Sequence, residues 1–152
     1  MTDVIIIMGS KSDMPHVDKI TAALNQFKLS YKLNISSAHK SPAHLLQMLA
    51  NYDADPTPKV YITVAGRSNA LSGMVDASVV APVIACPSYS DAFGGADIFS
   101  SVRMPSGVTP ALTLEPVNAA LLAAKILGRT KQVREFQRAQ TEKLIQDNKL
   151  VQ

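Results

Sequence analysis

Three short segments, Gly9-Ser10-Lys11-Ser12-Asp13, Ser37-Ala38-His39-Lys40 and Gly66-Arg67-Ser68-Asn69, bring together residue types that can do chemistry. The first joins a flexible glycine and two hydroxyls to a helix start, which favours an anion through backbone N–H groups and the helix dipole. It lacks the second glycine and the four-residue span of a Walker loop, so the anion expected is a phosphate monoester, not a triphosphate. In the second segment His39 can shuttle a proton near neutral pH, and Lys40 supplies a fixed positive charge for a phosphate or carboxylate. In the third, Gly66 lets the backbone approach a ligand while Arg67, Ser68 and Asn69 offer donors. Each segment also has a plainer reading: Ser12 and Asp13 as helix caps, His39 as a solvated loop residue, and the 67–69 stretch as the polar cap of the next helix.

The remaining candidates carry less. His16 and His44 sit inside helical patterns and are assigned no chemistry. Cys86 follows a buried strand with no histidine near it in sequence, which reads as a small core residue and not a nucleophile. Three scattered histidines and one cysteine make no metal site. The stretch Ser100-Ser101-Val102-Arg103-Met104-Pro105-Ser106-Gly107 is too small and apolar for a simple surface loop, and reads as a pocket wall or a subunit contact.

The elements that must hold these segments alternate short β-branched runs with longer helical patterns, the mark of βαβ units and a parallel sheet. Strands are expected at residues 4–8, 31–35, 59–65, 83–85 and 111–114. The run at 4–8 is continuous and not alternating, as befits a strand buried on both faces. Helices are expected at 13–27, 42–52, up to about 77, 96–102 and 116–127. Ser41-Pro42 reads as an N-cap followed by a proline at the first helical position. Residues 87–95 form a long loop and a possible lid, and 129–152 a polar helical arm needing a partner surface. In such a sheet ligands sit beyond the carboxyl ends of the strands, where all three segments fall.

The 152 residues suit one compact domain, burying roughly 68–70% of the unfolded chain's surface. With 47% apolar and 18% charged residues, neither a disordered chain nor a membrane span is expected. A signal peptide is not expected either, and the single cysteine points to a reducing cytoplasm. The net charge of +3 is misleading: residues 125–152 hold seven Lys/Arg against three acids, whereas residues 1–124 hold eight against nine. With no Trp, 5% aromatics and no basic run, a nucleic-acid groove has little support. A flavin-binding module would want aromatics in the loops, which offer only Tyr89 and Phe93. A catalytically silent assembly subunit would have no need of His39 and Asp13 at the strand ends.

Taken together the segments resemble the PurE family of purine biosynthesis. The resemblance runs from about Val4 to Gly128 and rests on Met8-Gly9-Ser10-Lys11-Ser12-Asp13, Ser37-Ala38-His39-Lys40-Ser41-Pro42, Ala65-Gly66-Arg67-Ser68-Asn69-Ala70-Leu71-Ser72-Gly73 and Arg103-Met104-Pro105-Ser106-Gly107, with Asn118-Ala119-Ala120-Leu121-Leu122-Ala123-Ala124 beyond. It implies a flavodoxin-like three-layer αβα sandwich over residues 1–128, a homo-octamer in which the arm at 129–152 packs, and no metal or cofactor. It further implies interconversion of 5-aminoimidazole ribonucleotide (AIR) and its 4-carboxylate (CAIR). Family mutases usually have arginine where Lys40 stands and Gly-Ala-Ala-His where Arg67-Ser68-Asn69-Ala70 stands. The chain is therefore similar to the carboxylases that use carbon dioxide directly, with the mutase as the alternative. By this resemblance His39 and Lys40 are the catalytic residues. Gly9, Ser10, Ser12, Asp13, Ser37, Ala38, Lys40, Gly66, Arg67, Ser68 and Asn69 bind substrate. Ser10, Ser12, Ser37 and Lys40 would hold the phosphate, Asp13 the ribose, and Gly66, Ser68 and Asn69 the carbon dioxide.

Overall fold

The computed structural model describes residues 2–88 and 90–151. Its frame is a five-stranded, all-parallel sheet in the order β2-β1-β3-β4-β5. The strands are β1 (Val4–Met8), β2 (Tyr31–Ile35), β3 (Val60–Val64), β4 (Val83–Ala85) and β5 (Ala111–Leu112). Every residue of β1 and β3 is buried, because successive side chains point to opposite faces and both faces are covered. Val4, Ile6 and Met8 pack against α1 (Met14–Gln26) and α5 (Pro116–Ile126) through Val17, Ile20, Leu24, Ala120 and Ala124. Ile5 and Ile7 face α2 (Pro42–Asp53) and α3 (Ala70–Asp76) through Leu45, Leu49, Leu71 and Val75. These three layers are the flavodoxin-like sandwich expected, and 2-1-3-4-5 is the strand order of that fold.

Departures from the expected elements have local causes. β2 is an edge strand, so Leu33 and Ile35 remain 42% and 51% exposed. β5 is two residues long, although Thr113 N still donates to Ala85 O at 2.9 Å. Of the helix expected at 96–102 only a single α turn, α4 (Phe99–Val102), forms; a 3₁₀ stretch, Ala92–Ile98, precedes it and is itself kinked at Phe93, Gly94 and Gly95, which all adopt positive φ. Phe93 is exposed, and Tyr89, the other aromatic weighed for a flavin, lies outside the described residues.

The C-terminal arm is α6 (Thr130–Leu150), and its beginning packs on the chain's own core. Val133 is buried and the Phe136 ring lies 5.3 Å from that of Phe27, whereas Leu144, Ile145 and Leu150 are exposed. No helix among the described residues is long and apolar enough to cross a membrane.

A polar clip fastens the start of α6 to the amino-terminal edge of the sheet. Arg129 Nη2 donates to Asp3 Oδ1 at 2.8 Å, while Ser30 N and Oγ donate to Asp3 Oδ2 at 2.8 and 2.7 Å. Burial of Asp3 opposes its ionisation, but the Ser30 hydrogen bonds and the Arg129 charge outweigh it, so its pKa lies below the ordinary 3.8. A depressed carboxylate pKa stabilises the fold above the unfolded value, and that contribution is lost as pH falls through the folded value. Asp3→Asn should therefore lower unfolding free energy at pH 7 by about 1 kcal/mol, less than a fully buried charged hydrogen bond because both partners are partly exposed. In urea titrations across pH, the deficit should close below the ordinary pKa of 3.8.

A strand-end pocket as the candidate active site

Because β1 lies between β2 and β3, the loops that leave these three strands converge at the carboxyl edge of the sheet. They enclose a cavity of about 410 Å³ walled by Gly9, Ser10, Ser12, Asp13, Ser37, Ala38, His39, Lys40, Gly66, Arg67 and Ser68. Sequence reading missed the rest of the wall, Ala65, Leu71, Ser88 and Ser90. The two serines come from the long loop after β4, whose Pro-, Ser- and Gly-rich composition was the one signal that it covers something.

Each loop is shaped by its own hydroxyls. Ser10, and not Ser12, caps the 3₁₀ turn Lys11–Asp13 that leads into α1: its Oγ accepts from Ser12 N at 3.2 Å. Asp13 reaches back, its Oδ2 accepting from Ser10 N at 3.0 Å, which completes a capping box. Its other oxygen, Oδ1, has only a 3.4 Å contact from Ser88 Oγ. After β2, Ser37 Oγ accepts from His39 N at 3.3 Å and Lys40 N at 3.2 Å, folding the turn that exposes both side chains. Ser41 stands at the N-cap of α2 but does not cap it. Its hydroxyl accepts from Ser37 N at 3.0 Å and donates to Ser37 O at 3.3 Å, tightening the preceding turn instead.

After β3, a Cβ on Gly66 would stand 3.3 Å from Ser88 Oγ, so the absence of a side chain lets the two loops close together. Arg67 adopts φ 58, unusual for a residue with a side chain. Asn69 stands apart from its neighbours. It is buried, its Oδ1 accepts from Ser72 N at 3.1 Å as the N-cap of α3, and it lines a smaller cavity of about 20 Å³ beside the main one. For this residue the capping role is realised. Lys40 and Arg67 outnumber the one acid, Asp13, and with the start of α1 they make the pocket suited to an anionic ligand.

Comparison with known proteins identifies a family and a fold. A family model described as AIR carboxylase matches residues 3–147. The phosphoribosylaminoimidazole carboxylase of Treponema denticola is 52% identical over 150 residues, covering 95% of this chain and 94% of that protein. The one from Archaeoglobus fulgidus is 56% identical over 124 residues, covering 82% of this chain and 68% of that protein. The crystal structure of Treponema denticola PurE superposes with a TM-score of 0.97 at 50% identity, covering 100% of this chain and 99% of that one.

Two of the groups given no chemistry meet between the start of α1 and the end of β4. Cys86 Sγ lies 3.4 Å from His16 Nε2 across 70 positions of sequence, a pairing no local pattern foretells. Burial pushes the Cys86 thiol up to about 12, with Glu115 adding to the shift and Thr113 opposing it. Burial also lowers the His16 pKa, so a neutral imidazole faces a protonated thiol. His44 Nδ1 sits 3.2 Å from Ser36 Oγ at the start of α2. Cys86 should accordingly resist iodoacetamide at pH 8 in the native protein and react once urea unfolds it, as mass spectrometry would register. Rapid native alkylation would refute the buried-thiol assignment.

Proposed function

The chain belongs to the AIR carboxylase family, and we propose that the pocket at the ends of β1, β2 and β3 is where it joins carbon dioxide to carbon 4 of AIR. The protein is an enzyme of purine biosynthesis, a phosphoribosylaminoimidazole carboxylase of the carboxy-lyase type that interconverts AIR and CAIR. The observation that carries the activity is the identity of 52% to a carboxylase of nearly equal length. The mutase alternative is not favoured by the relatives' names, and Ala70 stands where family mutases carry their second histidine.

AIR is an electron-rich enamine, which makes its carbon 4 nucleophilic without a metal, biotin or ATP. Carbon 4 attacks the carbon of carbon dioxide, and the displaced C=O electron pair becomes the carboxylate. Loss of the carbon 4 proton to His39 then restores the ring, and decarboxylation runs the same steps backwards. Ser10, Ser12, Ser37 and Lys40 hold the phosphate, which the start of α1 also attracts. Asp13 Oδ1, loosely engaged at 3.4 Å, is left to accept from ribose hydroxyls. Gly66 and Ser68 bound the carbon dioxide, and exclusion of water there protects a weakly held gas. A cavity of about 410 Å³ is of the size that nucleotide-scale ligands occupy.

The working form in this reading is a cytoplasmic homo-octamer, with the outer half of α6 packed on a neighbouring copy. The exposed Leu144, Ile145 and Leu150 on that half support it. Light scattering should return eight chains, and a monomer would overturn the assembly.

Purified protein should carboxylate AIR supplied with bicarbonate and show no turnover of the N5-carboxylated nucleotide; the reverse pattern would establish the mutase. His39→Asn should lower both carboxylation and decarboxylation by about 10²–10⁴ while nucleotide binding by calorimetry persists. Lys40→Ala should weaken nucleotide binding, and an unchanged affinity would remove it from the anion site.

A further inference from the structure

We infer that Ser100 and Asn69 are positioning residues for this reaction: with Ser72, Ser101 and Thr63 they lock the 66–68 turn that forms one wall of the pocket, without themselves facing the nucleotide. The inference rests on the carboxylase reading for its kinetics and on the network alone for its structure.

The turn needs a clamp. Arg67 holds a left-handed φ of 58, and such a conformation on a residue with a side chain persists where the surroundings over-determine it. Ser100, on α4, is that surrounding. Its Oγ accepts from Asn69 N at 2.9 Å, which fixes the backbone just after Ser68, and stands 3.2 Å from Arg67 O on the other side. Its single proton has two acceptors within reach, Arg67 O and, at 2.7 Å, Asp97 O.

Behind this bridge runs a chain of donors with a consistent direction. Ser72 Oγ donates to Asn69 Oδ1 at 3.0 Å, which leaves Thr63 Oγ1, at 2.7 Å, to donate to Ser72 Oγ. Asn69 Nδ2 donates onward to Ser101 Oγ at 2.9 Å. Thr63, Asn69, Ser72 and Ser101 are all at most 3% exposed and none is charged. An unpaired buried polar group is costly, so a network this dry and fully paired favours one arrangement. It ties the turn to β3 through Thr63 and to α4 through Ser101, two elements that do not depend on a ligand. Asn69 has its amide oxygen, amide nitrogen and backbone N–H all engaged in this way. The wall is therefore set before substrate arrives, which is what near-attack geometry at carbon 4 requires.

The test uses the full-length protein with Ser100→Ala and, at the far end of the network, Ser72→Ala. Steady-state kinetics with AIR and bicarbonate are paired with hydrogen exchange of the 66–70 amides measured without substrate. In Ser100→Ala, exchange at the turn should rise and kcat should fall by about tenfold or more, since small displacements of reacting groups are that costly. KM for AIR should stay within about threefold, because the phosphate and ribose partners lie on the other two loops. Ser72→Ala should give the same signature, smaller. Unchanged exchange, faster exchange with full kcat, or a rise in KM alone would each overturn the clamp. Failure of the unmodified enzyme to carboxylate AIR would count against the carboxylase reading, while the exchange measurement would still decide whether the turn is locked.

Discussion

The pocket hangs on the packing of β1, whose five residues are buried on both faces and paired on both edges, with Val4 opposite Tyr31 of β2 and Val60 of β3. A strand enclosed in that way has room for side chains that pack and none for side chains that react. Reactive groups are displaced to its carboxyl end, where Met8, Ile35 and Val64 lie in register. That register brings residues near 10, 38 and 67 of the sequence to the rim of one cavity. The hydrophobic core thus dictates where the chemistry sits, although it contributes nothing to what the chemistry is.

This dependence explains what could be read in advance. A continuous β-branched run signals two-sided burial, and β1 and β3 formed within a residue or so of expectation. The pocket loops were legible because Gly, Ser, His and Lys are poor strand formers placed directly after those runs, and position in a parallel sheet turns such loops into neighbours. Eleven of the wall residues lie in the three segments so picked out, together with Lys11 and Asn69, which do not line the cavity.

What stayed hidden depends on contacts between distant segments. Ser88 and Ser90 lie in a loop without a periodic pattern, and the place of Ser88 against Asp13 and Gly66 follows from the path of the chain after β4. Cys86 and His16 are 70 positions apart. Asn69 was legible as a donor, but whether its amide faces a ligand or the protein depends on Ser101, 32 positions on. β2 alternates as a half-buried strand should, yet as the outermost strand it keeps Leu33 and Ile35 exposed. Side-chain hydroxyls also compete for several local partners, which is how Ser41 came to serve the turn before it instead of the helix after it.

The pocket separates charge from rigidity. Lys40 and Arg67 are exposed, so both remain hydrated and carry no burial penalty. The parts that must not move are built from neutral serine, threonine and asparagine groups, which can be buried provided each finds a partner. A rigid wall made from buried ion pairs would expose the reacting carbon to strong fields and would cost more to desolvate. Carbon dioxide is uncharged and offers little for a charged residue to grip, so a wall fixed by neutral hydrogen bonds suits the weakly binding partner. The solvated Lys40 suits an anionic one.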